Sequence, residues 1–195
     1  DIVHAVIGNS QVQPGQRVAV LGPGTMGLLT AQLARAIGEG QVIVVGLAED
    51  QQRMEIALRI GADYTINITK ENLVERVMEL TDGHGADIVF EVSGSDAAFV
   101  AGLKIMAKRG QMTIIGVPKQ PVEIDLLALQ AAEQTIRSSI MSTWSDYEQA
   151  IQLAKTGRLK LKPLITDVLP IIEWKKGFDL ALAKKACKVV FTPVG

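Results

Sequence analysis

At 195 residues, with 48% hydrophobic and 21% charged side chains, the chain is sized for one ordinary globular domain that buries roughly 70% of its unfolded surface. A net charge of −1 gives no footprint for nucleic acid or an anionic membrane surface, and no apolar run approaches the roughly 18 residues of a membrane span. A single cysteine, Cys187, excludes an internal disulfide, and "DIVHAVIGNS" lacks the basic-then-apolar order of a secretion signal, so the expected compartment is the cytoplasm.

Residues 1–14 read as a lead-in helix, and an opening at Asp1 leads us to expect a piece of something longer. Pro14–Gly15 sets up the short buried strand "RVAVL" (17–21). The following segment puts Met26, Leu29, Leu33 and Ile37 on one helical face, with Gly38 as its stop. "VIVV" (42–45) is the β-branched run of a strand covered on both faces. The next helix turns Met54, Ala57 and Leu58 inward and closes at Gly61. "YTI" then precedes a helix bearing Leu73, Val77 and Leu80, and "DIVFEV" (87–92) precedes a helix after Ser95. Strand "QMTIIG" (111–116) follows. Such alternation implies an α/β fold: a doubly wound, Rossmann-type parallel sheet with helices on both faces. Past Pro118 the pattern is less regular. A sixth strand, "TIRSSI" (135–140), leads to a helix with a capping box at Ser145 and Glu148 that ends at Gly157. The tail carries Trp174 and Phe178 on one helical face and a last strand, "CKVVF". The reading thus divides into a lead-in at 1–14, a Rossmann-type domain at 15–157, and a C-terminal helix–strand extension at 158–195. "NIT" (67–69) matches the glycosylation pattern by chance.

"LGPGTMG" (21–27) carries the G-x-G-x-x-G spacing in its proper setting, after a strand and opening a helix, with a second strand ending about 20 residues on. Gly22 serves the tight turn, Gly24 leaves the backbone bare for a pyrophosphate, and Gly27 brings helix and strand together. The helix N-terminus offers amides and a positive dipole end to the anion, which places Thr25 and Met26 in the cradle. Gly22 and Gly27 also have P-loop spacing, but Leu28 and Leu29 stand where Lys and Ser/Thr are needed, which argues against a nucleoside triphosphatase. At the end of the second strand, Gly46 stands where an acid usually meets the ribose of NAD. Two readings stay open there. Arg53 answers the 2′-phosphate of NADP, or Glu49 or Asp50 reaches back to the ribose of NAD; Gly46, Leu47 and Arg53 surround the adenosine end in either case. Small residues at the ends of two more strands, Val92, Ser93 and Gly94 with Ile115, Gly116 and Val117, are candidates for the nicotinamide side. No catalytic residue is assigned. The two histidines, His4 and His84, have no cysteine or carboxylate at ligand spacing, so no metal site is expected, and Cys187 reads as a buried core residue.

These residues resemble the cofactor-binding portion of the medium-chain, zinc-dependent alcohol, polyol and threonine dehydrogenases. The likeness runs nearly end to end, through "VQPGQRVAVLGPGTMGLLTAQLARAIG", "LRIGADYTIN", "TDGHGADIVFEVSGS", "GQMTIIGVP" and "LKPLITDVLPIIEWKKGFDLA". The resemblance implies hydride transfer between an alcohol or polyol and NAD or NADP, with zinc held only in an N-terminal catalytic domain that nothing here matches. It implies that the segment from about Arg158 returns to that catalytic domain, and that a homo-oligomer forms through the sheet edge near 121–140. Two departures stand out: Gly46 for the frequent acid, and Asp167 for the His of "LITH". A non-catalytic, nucleotide-sensing module and a zinc-free, quinone-reductase-like oxidoreductase remain as alternatives.

Overall fold

β-Branched and small residues build a sheet whose central strands are sealed from water. The computed structural model describes residues 1–10 and 12–193. The six-stranded sheet is formed by β1 (Val18–Leu21), β2 (Val42–Gly46), β3 (Tyr64–Asn67), β4 (Ala86–Glu91), β5 (Met106–Ile114) and β6 (Thr135–Ser138). Its spatial order is β3-β2-β1-β4-β5-β6, and all five pairings are parallel. The expected doubly wound architecture is present. After β3 the chain returns to lie beside β1, so the reversal of strand order falls between β1 and β4, where a crevice opens beyond the carboxyl ends.

Side chains alternate between two cores. Val18, Val20, Val42, Val44 and Phe90 point toward α1 (Thr25–Gly38) and α2 (Gln51–Ile60). Ala19, Leu21, Ile43, Val45 and Val89 point toward α3 (Leu73–Leu80) and α4 (Asp96–Ile105). Beyond the main sheet lie α5 (Leu126–Ala131), α6 (Trp144–Lys155), β7 (Ile165–Pro170), α7 (Trp174–Leu182) and β8 (Lys188–Thr192). β7 and β8 pair in parallel as a separate small sheet.

Several local expectations need correction. The lead-in is π-helical over His4–Ser10, and Val12 and Gln13 beyond it belong to no helix. α1 is not a one-faced helix: Leu28, Ala31, Gln32, Leu33 and Ala34 are all buried, while Met26 is exposed. The cause is additional packing: Ile2, Val3, Val6, Leu159 and Leu164 join the same core cluster as the α1 residues, with the lead-in helix lying against α1, β5 and β6. Gly38 is the last helical residue, and Glu39, not Gly38, takes the left-handed cap with φ 50°. Gly38 is small for another reason: a methyl group there would lie 2.8 Å from Val12 Cγ1. In α2, Leu58 faces outward, and Ile56 and Ile60 fill the core beside Met54 and Ala57. The cap of α6 is Thr143 with Asp146, two residues before the expected pair; Asp146 takes the Thr143 amide at 2.7 Å. Thr143 has the extended backbone that a cap requires, whereas Ser145 is already inside the helix.

Candidate functional site

The crevice is built from three loops that follow β1, β4 and β5. Gly22 leaves β1 with φ 105°, a left-handed value that favours glycine, and its amide donates to the Val45 carbonyl at 2.9 Å. A methyl group on Gly22 would sit 3.0 Å from Ser93 Cβ, so the loops after β1 and β4 are pressed together. A methyl group on Gly27 would lie 1.9 Å from the Gly22 carbonyl oxygen, which fixes how closely α1 starts against the turn. Gly24 differs from both. It is the residue before the first helical turn, no side chain caps that turn, no acid lies in it, and nothing comes within 4 Å of where its side chain would be. Its bareness answers no internal packing need and leaves open space at the positive end of the helix.

The loops after β4 and β5 interlock around Glu91, which sequence reasoning passed over. This side chain is 2% exposed and accepts hydrogen bonds from the Ser93 amide (2.9 Å), the Ser93 hydroxyl and the Gly94 amide (3.1 Å). Its backbone carbonyl takes the amides of Ile115 and Gly116 at 2.8 and 2.9 Å. Gly116 has no room for a methyl group, which would be 2.2 Å from the Gly94 amide nitrogen and 2.6 Å from Glu91 Oε2. Val92 is half-buried, its amide held by Leu21, while Ser93 and Val117 are exposed toward solvent. The signal for Glu91 was in the sequence: a charged residue at the last position of an otherwise buried strand must have a dedicated set of donors.

The end of β2 is closely packed. Gly46 is buried beneath Pro23, whose Cγ would lie 2.9 Å from an added methyl group, so a side chain at this position would require the glycine loop to shift. Asp50, 6% exposed, folds back to accept the Leu47 amide and one Arg53 nitrogen, each at 3.1 Å. The other terminal nitrogen of Arg53 donates to the Ala186 carbonyl at 2.7 Å, and its Nε–H is buried with no partner. Glu49 pairs with Lys184. Thr25 donates to the Cys187 carbonyl at 2.6 Å. Residues 184–187 therefore strap the glycine loop and the start of α2, which no local pattern announced. Cys187 is half-buried and precedes β8; burial pushes its thiol up, against the Thr25 hydroxyl and the charges of Arg53 and Lys188.

The structure thus brings Gly22, Gly24, Thr25, Met26 and Gly27 to one side of the crevice and Ser93, Gly94, Gly116 and Val117 to the other, with Gly46, Leu47 and Arg53 at the far end of the loop. His4 meets Asp146 at 3.1 Å, and His84 lies in an exposed turn with Nδ1 3.1 Å from the Thr81 carbonyl. Among the described residues, no group of three or more His, Cys, Asp or Glu could hold a metal ion, so the donor set does not fit zinc. Among them, too, no helix is long and apolar enough to cross a membrane.

A family model described as zinc-binding dehydrogenase matches residues 25–156. A sorbitol dehydrogenase from Halalkalibacterium halodurans is 35% identical over 192 residues, 98% of this chain and 56% of that protein. An L-threonine 3-dehydrogenase from Bacillus subtilis is 35% identical over 200 residues, 98% of this chain and 54% of that protein. Among solved structures, an alcohol dehydrogenase from Thermotoga maritima superposes with a TM-score of 0.91 at 29% identity, covering 99% of this chain and 54% of that one. The chain spans about half the length of the curated relatives it matches.

Proposed function

The chain belongs to the zinc-binding dehydrogenase family, and from that premise we propose that it is the dinucleotide-binding portion of a medium-chain alcohol or polyol dehydrogenase. The observation that carries this reading is the contrast within the glycine loop. Gly22 and Gly27 are required by the backbone around them, whereas Gly24 faces open space over uncapped amides. A diphosphate fits there: it would take the amides of Thr25 and Met26 and meet the helix dipole without a side chain in its path. Ser93, Gly94 and residues 115–117 line the nicotinamide side, held in place by Glu91. A bound nicotinamide dinucleotide supplies the hydride acceptor or donor. The residues that polarise the alcohol are assigned to sequence outside this chain, so this chain binds cofactor without turning over substrate, and residues 158–195 belong with that catalytic portion.

Titration of the purified chain with NADH and NADPH, followed by nicotinamide fluorescence, tests this. Saturable binding of either without alcohol oxidation is expected; binding of neither overturns the assignment, and turnover by the chain alone overturns the division of labour. Arg53 is the discriminating residue for the adenosine end. Arg53→Ala is expected to weaken NADPH more than NADH, while an equal loss identifies Arg53 as a strut for residues 184–187.

A second copy of the chain is the proposed partner at the sheet edge. β6 presents one unpaired side, and Leu126, Leu127, Ile140, Met141 and Trp144 beside it are 68–79% exposed. Sedimentation velocity should show a dimer that Leu127→Asp with Ile140→Asp converts to monomer.

A further inference from the structure

A cleft lined by charged residues lies toward the opposite end of α1 from the glycine loop. It has a volume of about 430 Å³ and is walled by the C-terminal ends of α1 and α2 and by the segment 158–160. Four cationic residues, Arg35, Arg59, Arg158 and Lys160, line it against one carboxylate, Asp63, in a chain whose net charge is −1. The carboxylate is already spent. One Asp63 oxygen pairs with Arg35 and the other accepts the Val42 amide at 2.7 Å. Arg35 is likewise committed, donating also to the carbonyls of Gly61 (3.0 Å) and Gly40 (2.7 Å). The side chains of Arg59, Arg158 and Lys160 have no hydrogen-bond or ion-pair partner among the described residues.

Dipole compensation accounts for part of this. Arg35 and Arg59 sit in the last turns of their helices, where a cation is favourable. It does not account for Arg158 and Lys160, which come from a loop. That loop is held by a buried residue: Gln32, 3% exposed, accepts the Lys160 amide at 2.7 Å and donates to the Lys160 carbonyl at 3.3 Å. The cleft thus combines a hydrogen-bonded wall with three exposed cations that have no protein partner among the described residues and line one space, an arrangement that focuses potential on a small anion. Two of the three are guanidinium forks, whose geometry matches phosphoryl oxygens.

We infer that this cleft binds a small phosphorylated ligand, such as a metabolite bearing one or two phosphoryl groups, at a site separate from the crevice between β1 and β4. The inference does not rest on the dinucleotide reading. The experiment is an amide-resolved NMR titration of the ¹⁵N-labelled full chain with inorganic pyrophosphate at low ionic strength. Saturable shifts are expected at residues 58–63 and 158–160, and Arg59→Gln with Arg158→Gln should weaken this binding by about tenfold or more. Lys160→Gln gives an independent check, and both variants should leave the spectrum of the central sheet unchanged. Shifts confined to residues 22–27, a linear response without saturation, or equal affinity in the double variant would overturn the proposal.

Discussion

β1 and β2 bury every one of their residues, whereas β7 and β8 bury none. The two pairs are alike in residue type: "VAVL" and "VIVVG" against "TDVLP" and "KVVFT" are all rich in β-branched or large apolar side chains. Strand propensity therefore does not separate them. What separates them is layering. The central pair has α1 and α2 on one face and α3 and α4 on the other, while α7 supplies the helical contact of β7 and β8. Phe178 does stack on Phe191 at 6.3 Å, and Gly177 is pressed against the same ring. Yet Val168, Ile172 and Leu182 remain 60–79% exposed, so the small sheet displays apolar surface that the large sheet has hidden.

The largest effect should come from the sealed region. Gly27→Ala forces a methyl group against the Gly22 carbonyl oxygen and should destabilise the chain by about 3 kcal/mol in urea denaturation. Gly24→Ala, three residues away in open space, should leave the midpoint nearly unchanged while weakening NADH at least about tenfold. A pair of identical substitutions then measures the contrast directly. Leu21→Ala, in β1, should cost about 2–5 kcal/mol, and Leu182→Ala, in α7, less than about 0.5 kcal/mol. Comparable losses at both positions would mean that the small sheet is covered in solution, and the comparison would fail. Glu91→Gln should cost about 2 kcal/mol, because the amide places donors against the Ser93 and Gly94 amides, and NADH affinity should fall with it.

The smallest effect lies at the rim, where Thr143 holds the Asp146 carboxyl below its ordinary 3.8, first through its hydroxyl and then through its amide, with His4 adding to the effect. A depressed carboxyl contributes stability above its unfolded value and loses it as the pH falls through the folded one. Asp146→Asn should accordingly flatten the decline of stability below about pH 4, a change to be read by thermal melts across that range.

Much of the site was legible because it depends on backbone chemistry that glycine spacing reports. Gly22, Gly24 and Gly27 fall where expected, and the loops after β4 and β5 were marked by Ser93, Gly94 and Gly116. The contacts that fix their geometry were not legible. Arg53 reaches Ala186 across 133 positions and Thr25 reaches Cys187 across 162, and no local rule connects such residues. The stripe expected on α1 was incomplete for a related reason: Leu29, Leu33 and Ile37 do join the core, but residues from both ends of the chain pack into the same cluster, and Leu28, Ala31 and Ala34 are buried as well.

The sequence by itself determined the order of strands and helices, the parallel doubly wound sheet and the place of the glycine loop between β1 and α1, because hydrophobic period and glycine placement act over a few residues at a time. Only the tertiary structure decided how closely Pro23 packs on Gly46, how Glu91 ties two loops together and which apolar faces remain uncovered. Those outcomes depend on what lies across a few ångströms of space, and the chain reaches that neighbour only by folding.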